Sequence, residues 1–272
     1  MHKKSSRGSA PNAAEVVTKI GRRAPLETPL LLDGPGRIAG RAAGRWTLRK
    51  PAAAVLLLGA ATAHAGPVDG QVTSGTASIS QSGANTTITQ TSQNASLNWK
   101  SFNVGAQESV NFVQPSASAI AVNRILDTHG SQILGQLNAN GQVYLINPNG
   151  ILFGAGAQVN VGGLVASTLD VKDADLGSAQ RTFSGSGSGS VVNQGSINAA
   201  TGGYVALIGN TVSNQGSISV PKGSVAMAAG SAATLTFQDN QLLKVVVDQS
   251  VLNSLAENGG LIMVDGGQAL MS

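Results

Sequence analysis

One short pattern recurs along the second half of the chain, and its period leaves few folds open. The unit is Gly-x-apolar-x-x: Gly141-Gln142-Val143-Tyr144-Leu145, Gly163-Leu164-Val165-Ala166-Ser167, Gly203-Tyr204-Val205-Ala206-Leu207, Gly223-Ser224-Val225-Ala226-Met227 and Gly267-Gln268-Ala269-Leu270-Met271. From glycine to glycine the steps are 22, 40, 20 and 44 residues, or one, two, one and two units of 20–22. The skipped units fall near Arg181–Ser190 and at Leu243–Val247. The first contains the Ser-Gly run 184–190, a flexible composition that reads as a loop pushed out of the stack. A second ladder runs in phase: Asn193-Gln194-Gly195-Ser196-Ile197 returns one unit later as Asn214-Gln215-Gly216-Ser217-Ile218.

A β-rich unit of this length is too short for a propeller blade and lacks the Leu-x-x-Leu-x-Leu of a leucine-rich repeat. The fold class is therefore all-β, a parallel β-helix with one 20–22-residue coil per unit; a β-sandwich is the alternative. Each coil holds three short strands that pair with the next coil at ~4.8 Å. Identical residues stack, Val on Val inside and Asn on Asn at the turns, where amides bond along the ladder. Glycine supplies the turn positions with φ > 0. A narrow interior suits a chain that is 42% hydrophobic but only 3% aromatic. Residues 71–98 alternate β-branched and polar side chains, as half-exposed strands do. Val122 to Leu137 is spaced for one short helix.

Charge divides the chain in two. Residues 1–65 carry 11 Lys/Arg against 3 Asp/Glu, a balance of +8; residues 66–272 carry 6 against 10, a balance of −4. The basic segment ends in Arg45, Arg49 and Lys50, the apolar run 52–61, and Ala63-His64-Ala65 before Gly66. A basic start, a short apolar stretch and a small-x-small site make a secretory signal peptide, here with an extended basic region and cleavage expected after Ala65. The apolar run is too short to span a bilayer permanently. Arg22-Arg23 lies too far upstream to favour a twin-arginine signal, and a transit peptide lacks the apolar run and Ala-x-Ala site. The leader implies the Sec translocon and signal peptidase as partners. The expected mature chain has 207 residues, 65 fewer than the full 272, and its acidic balance argues against nucleic acid. That length leaves room for at most about ten coils.

Little else in the mature chain points to chemistry. With no cysteine and one histidine, His129, it supports neither a transition-metal site nor a His-based triad. Asp170, Asp173 and Asp175 do not have EF-hand spacing and read as a solvated acidic loop. Polysaccharide lyases and hydrolases share the β-helix, but their sites need clustered carboxylates or carboxylates beside Arg and Lys. The mature chain has two arginines, Arg124 and Arg181, and no dense carboxylate cluster, so an enzyme is not expected and no cofactor is implied.

Between residues 98 and 170 the sequence becomes specific. Asn98-Trp99-Lys100-Ser101-Phe102-Asn103-Val104-Gly105 leads to Val110-Asn111-Phe112-Val113-Gln114-Pro115 and Asn123-Arg124-Ile125, then to the run 140–154 containing Asn147-Pro148-Asn149-Gly150-Ile151, and on to 159–169. This stretch resembles the two-partner secretion (TPS) domain at the N-terminus of filamentous-haemagglutinin-type exoproteins, over about residues 76–250. The resemblance implies a right-handed parallel β-helix with an N-terminal β cap. It implies a role in carrying a large adhesin, haemolysin or toxin out of a Gram-negative cell, by binding the POTRA domains of a dedicated outer-membrane β-barrel transporter. It places recognition at Asn147, Pro148, Asn149, Gly150 and Ile151, and cap or motif roles at Asn98, Trp99, Phe102, Asn103, Asn123 and Arg124. Many members carry an upstream Asn-Pro-Asn-Leu element; here Asp127-Thr128-His129-Gly130-Ser131 stands in that region.

The expected organisation is a leader over 1–65, a secretion β-helix over 66–255, and over 256–272 the start of a further, truncated repeat. The product would be secreted or held at the cell surface, and regions further downstream could meet a host surface. Two other functions compete: an adhesin that binds host glycans directly, for which no aromatic sugar platform is evident, and a polysaccharide-degrading enzyme. The physical reading of Asn147–Gly150 is a tight coil corner: the Pro ring fixes φ at a value the turn needs, Asn bonds its own backbone and Gly accepts φ > 0. Trp99 and Phe102 are rare aromatics suited to plugging the open first coil, since an uncovered strand edge invites aggregation.

Overall fold

The computed structural model describes residues 66–247 and 254–272. The leader, with Ala63 and Ala65 of the expected cleavage site, lies outside the described residues, and Gly66 is the first of them. From Asn85 onward the chain winds as a parallel β-helix with three faces. The first face stacks Asn85–Gln90, Ser109–Val113, Gln136–Ala139, 158–161, 196–199, Ser217–Ser219 and Leu261–Met263, every neighbouring pair parallel. The second stacks Asn94–Trp99, Ile120–Ile125, Gln142–Ile146, 163–167, 204–209, Ser224–Ala229 and Gln268–Met271. The third stacks Ser131–Ile133, Ile151–Phe153, Ser190–Asn193, Thr211–Asn214 and Leu255–Asn258, with Val104 bridging to Ile133 ahead of them. The division at 255/256 falls inside a paired strand, and the stack runs across it without a break.

Seven strands on the first face mean seven coils among the described residues, about 30 Å of stack. The sequence allowed ten, and the shortfall has a structural cause. The 40- and 44-residue glycine steps are not two coils each. Gly163 pairs directly with Tyr204, and Ser224 with Gln268, so each long step is one coil plus an excursion. Residues 168–189 leave the helix, as does the segment from 230. Asp170–Val171, Gln180–Ser184, Ala232–Gln238 and Gln241–Val247 from these excursions form a separate antiparallel sheet. Arg181 and Leu243–Val247 therefore sit in paired strands of that sheet, and only the Ser-Gly run is loop.

The sheet lies over the second face and explains that face's composition. Strands there are buried on both sides, so Gln142–Ile146 and Ser224–Ala229 are buried at every residue. Val143, Leu145, Leu164, Val205, Leu207 and Val225 fill the coil interior. The alternate residues Tyr144, Val165, Tyr204, Ala206 and Ala226 point outward, into a second core with Phe183, Leu235, Phe237 and Leu242. Tyr144 meets Phe183 at 6.0 Å between ring centroids, and Tyr204 meets Phe237 at 5.0 Å.

Two other expectations need correction. The expected helix over 122–137 is three strands, Ile120–Ile125, Ser131–Ile133 and Gln136–Ala139. Its apolar residues Val122, Ile125, Ile133 and Leu137 face two different cores, so their helical spacing came from coil geometry. The glycine alignment was also one residue out at its second unit. Val143 pairs with Leu164, so Gly162, not Gly163, is the equivalent of Gly141. A one-residue slip reverses every side chain of a strand, and Val165 points outward for that reason. The corrected ladder is Gly141, Gly162, Gly203, Gly223 and Gly267, and close approach, not φ, demands glycine there. A Cβ on Gly203 would meet Gly162 O at 2.2 Å, one on Gly223 would meet Gly203 O at 2.2 Å, and one on Gly267 would meet Gly223 O at 2.0 Å.

The N-terminal residues close the stack with antiparallel pairing. Gln71–Ser74 runs against Asn94–Trp99, Ala77–Ser82 against Asn85–Gln90, and Val68 bridges Ser101. The first and second faces thus each have a partner on the leading strand, which removes an open sheet end there.

Candidate interaction site at a coil corner

Asn147-Pro148-Asn149-Gly150 turns the chain from the second face to the third. Gly150 N donates to Asn147 O at 3.0 Å, closing a β-turn with Asn, Pro and Gly at its first, second and fourth positions. Gly150 has φ +109° and Ile151 starts the third-face strand. Asn147 is fully buried. Its Oδ1 accepts from Asn149 N at 2.9 Å, and its Nδ2 donates to His129 O and Ser131 Oγ, both at 3.0 Å. Pro148 and Asn149 are exposed. Asn149 Nδ2 donates to Asp127 O at 2.7 Å.

The residues standing in place of an upstream Asn-Pro-Asn-Leu, Asp127–Ser131, form the same corner one coil earlier. Both asparagines of the turn reach back onto that corner, so the two form one surface. Leu126 is 66% exposed beside it, and Thr128 and His129 are exposed. Asp127 Oδ1 lies 3.1 Å from His129 Nδ1 and accepts from His129 N at 3.2 Å. The His129 side-chain hydrogen bond, helped by the backbone N–H groups of His129 and Thr128, holds the Asp127 carboxyl below its ordinary value. On the coil before, Asn103 Oδ1 accepts from Gln132 N at 2.8 Å, and Asn103 lines a shallow recess with Asp127, His129 and Gln132. A solvent-facing strip of Asn103, Leu126, Asp127, His129, Pro148 and Asn149 results, able to bind by hydrogen bonds, an apolar contact and one titratable imidazole.

The other motif residues do different work. Trp99 and Phe102 are buried inside the first coil at 5.3 Å, edge to face. The Trp99 ring lies so close beneath Gly70 that a Cβ there would fall 2.3 Å from Cζ3. Trp99 Nε1 donates to the buried Asn123 Oδ1 at 2.9 Å, and Asn123 Nδ2 donates onward to Tyr144 O at 3.3 Å, linking three successive coils. Asn98, half-buried, pairs with Gln71 of the cap on one side and Arg124 on the other. Arg124 points outward, away from the cap. Its Nε donates to Asp170 Oδ1 at 2.8 Å, and its Nη2 to Asp173 Oδ1 at 2.8 Å and Val171 O at 2.6 Å. Two of the three aspartates of the acidic loop are thus paired, and Arg124 is the clamp that holds the outer sheet's first strand on the coil.

Sequence reading missed a buried polar cluster between coil and outer sheet. Arg181, 6% exposed, donates Nη1 to the Tyr144 hydroxyl and Nε to Ser178 O, and stacks 4.1 Å from the Phe237 ring centroid. Tyr144 and Tyr204 hydroxyls lie 2.8 Å apart, and Tyr204 donates to Gln142 Oε1 at 2.6 Å. Burial raises both phenol pKa values, Tyr204 strongly. The signal was present: the chain's only two tyrosines each sit just after a ladder glycine, in units whose strands face the same way.

Comparison with known proteins follows the same lines. Residues 63–272 match the family model described as TPS secretion domain. A haem/hemopexin-binding protein of Haemophilus influenzae is 34% identical over 204 residues, covering 72% of this chain and 22% of that protein. A second haem/hemopexin-binding protein from that species is 49% identical over 86 residues, 32% of this chain and 9% of the relative. The chain therefore spans about a fifth or less of the length of these relatives. Among solved structures, the HMW1 secretion domain of H. influenzae superposes with TM-score 0.69 at 34% identity, over 76% of this chain and 55% of that one. Domains of this kind belong to exoproteins of Gram-negative bacteria that leave the cell by two-partner secretion with a cognate outer-membrane transporter. Coil, cap and sequence agree across the described residues, and on that ground the chain belongs to the family of TPS secretion domains.

Proposed function

We propose that this chain is the targeting segment of a larger secreted or surface-held exoprotein, and that the corner strip is what its transporter reads. The leader hands the chain to the Sec translocon and signal peptidase cuts after Ala65. In the periplasm the POTRA domains of the cognate transporter bind the strip around Pro148 and Asn149. Once outside, the coil stack seeds the β-helix of whatever follows, since each formed coil offers a paired edge to the next. The supporting observation is the split within one turn: the Asn147 side chain is buried and makes three hydrogen bonds, while Pro148 and Asn149 are exposed and make one side-chain hydrogen bond between them.

The test is secretion of the chain co-expressed with its cognate transporter. Asn149→Asp and Pro148→Ala should cut secretion at least fivefold while the melting temperature of the purified chain moves by no more than about 3 °C. Secretion that falls only in step with stability would return the turn to a structural role.

A further inference from the structure

The first described residues pack into the corner of the first two coils, beside a buried acid. A recess of about 140 Å³ lies between Gly66, Pro67, Gln81, Thr86 and Glu108. Glu108 is only 9% exposed and its carboxylate is fixed: Oε2 accepts from Gly105 N at 2.7 Å inside a turn closed by Glu108 N donating to Gly105 O at 2.8 Å. Pro67 is buried and its carbonyl accepts from Gln81 Nε2 at 2.5 Å, which sets the heading of Gly66. The Cβ position of Gly66 lies 3.9 Å from Glu108 Oε2 and 3.8 Å from Thr86 Oγ1. The α-nitrogen shares the same Cα, which puts it within about 6.4 Å of the carboxylate. Among the described residues lining the recess, Glu108 has the only ionisable side chain; the nearest charged neighbour along the chain, Asp69, pairs with Lys100 at 3.8 Å.

We infer that the Glu108 recess is a binding site for the chain's own new N-terminus, filled when the leader is removed. The inference rests on cleavage after Ala65. Hydrolysis of the Ala65–Gly66 amide takes up one water and breaks the C–N bond. The leader leaves with a carboxylate, and Gly66 keeps the nitrogen as an ammonium at neutral pH. A neutral amide N–H thereby becomes a cation with three donors, a few ångströms from a fixed, buried carboxylate and a threonine hydroxyl. An opposite charge at this range favours the charged form. Maturation thus gives the cap strand a charged tie to the first coils.

The secreted, processed chain tests this whole. Mass spectrometry first reads its N-terminus, and a first residue other than Gly66 removes both the cleavage reading and the inference. With Gly66 first, the amine is titrated by NMR. Its pKa should stand about one unit or more above the ordinary 7.7–8.0, and return to that range in Glu108→Gln, which keeps an acceptor for Gly105 N. Equal values in both chains overturn the inference while leaving the cleavage intact. If Glu108→Gln does not fold, acetylation of the Gly66 amine in the wild-type chain replaces it. A raised amine pKa gives stability that is full below about pH 8 and is lost as pH rises through the raised value. The ratio of folded to unfolded chain should fall about tenfold further between pH 7.5 and 9.5 in the free amine than in the acetylated chain; identical profiles refute the pairing.

Discussion

Asn147 and Asn149 stand two positions apart in one turn, yet replacing each by alanine should do different things. Asn147 is fully buried and makes three hydrogen bonds, to His129 O, Ser131 Oγ and Asn149 N. At about 1 kcal/mol net per bond the loss is about 3 kcal/mol, and the Ser131 hydroxyl left behind is itself buried, which adds to it. For a folded chain of about 200 residues, 1 kcal/mol corresponds to about 2–4 °C in Tm, so Asn147→Ala should melt about 6–12 °C below wild type. Asn149 is exposed and its side chain makes one bond, to Asp127 O, so Asn149→Ala should cost about 1 kcal/mol or less and at most about 4 °C. Circular dichroism melts of the purified chains, checked by urea titration, measure both. If the two variants melt within about 2 °C of each other, the assignment of Asn147 to the fold and Asn149 to the surface is wrong. The double variant is uninformative about transporter binding for the same reason: its secretion defect would carry the Asn147 folding defect inside it.

Gly203→Ala places a methyl 2.2 Å from Gly162 O, and because that neighbour is backbone the ladder must open; a loss of about 2–3 kcal/mol is expected by urea denaturation. Arg124→Gln releases Asp170, Asp173 and Val171 O together, so limited proteolysis should cut within 168–189 sooner than in wild type while the coil strands stay protected. Burial favours the protonated form of both tyrosines, so native chain should show less tyrosinate absorbance at pH 10.5 than the denatured chain, which shows about half or more of its full signal. The fold keeps protons that the unfolded chain releases near pH 10, so stability is unaffected below that pH and falls as pH climbs past it. Normal titration of either phenol in the folded chain would contradict the buried cluster.

The coil was legible because its period is written in glycines and asparagines whose side chains, or lack of them, face the same residue one coil away. Asn193 Nδ2 donates to Asn214 Oδ1 at 2.8 Å, and Asn214 Nδ2 to Asn258 Oδ1 at 2.7 Å. An outer ladder from Asn111 through Asn138 and Asn160 to Asn198, with donor–acceptor distances of 3.0–3.2 Å, went unread because its asparagines keep no fixed offset from the glycines, standing three before Gly141, two before Gly162 and five before Gly203. The outer sheet was illegible for a different reason. Its strands pair antiparallel across the two excursions, as Thr182 does with Thr234, with more than a full coil of β-helix between them in the chain, and no repeat encodes that. The only trace in the sequence is the all-apolar second face, which a one-sided coil would not need. The corner motif was legible as a turn, but the burial of its first asparagine depends on Ser131 and on the His129 carbonyl of the preceding coil, and a carbonyl carries no sequence signature.

The three corners of the coil are not equivalent, and the difference bears on the proposed transporter site. Between the first and second faces the glycine ladder brings successive backbones so close that a Cβ would meet a carbonyl at 2.0–2.7 Å. Between the third and first faces a second ladder does the same: a Cβ on Gly135 would meet Gly105 O at 2.2 Å, on Gly216 Gly195 O at 2.1 Å, and on Gly260 Gly216 O at 2.2 Å. The stacking does not forbid insertion: between the first and second faces four residues, 200–203, stand between Ala199 and Tyr204 where Gly162 alone stands between Val161 and Gly163 on the neighbouring coil. The corner between second and third faces carries the longest departures from the coil. The Asp127–Ser131 turn, the Asn147–Gly150 turn and both excursions into the outer sheet all depart there. A β-helix needs its coils to match their neighbours along every face, so departures are confined to the corners. A surface that must distinguish one partner from another needs variation, and the exposed Pro148 and Asn149 can change at less cost to the stack than the buried Asn147.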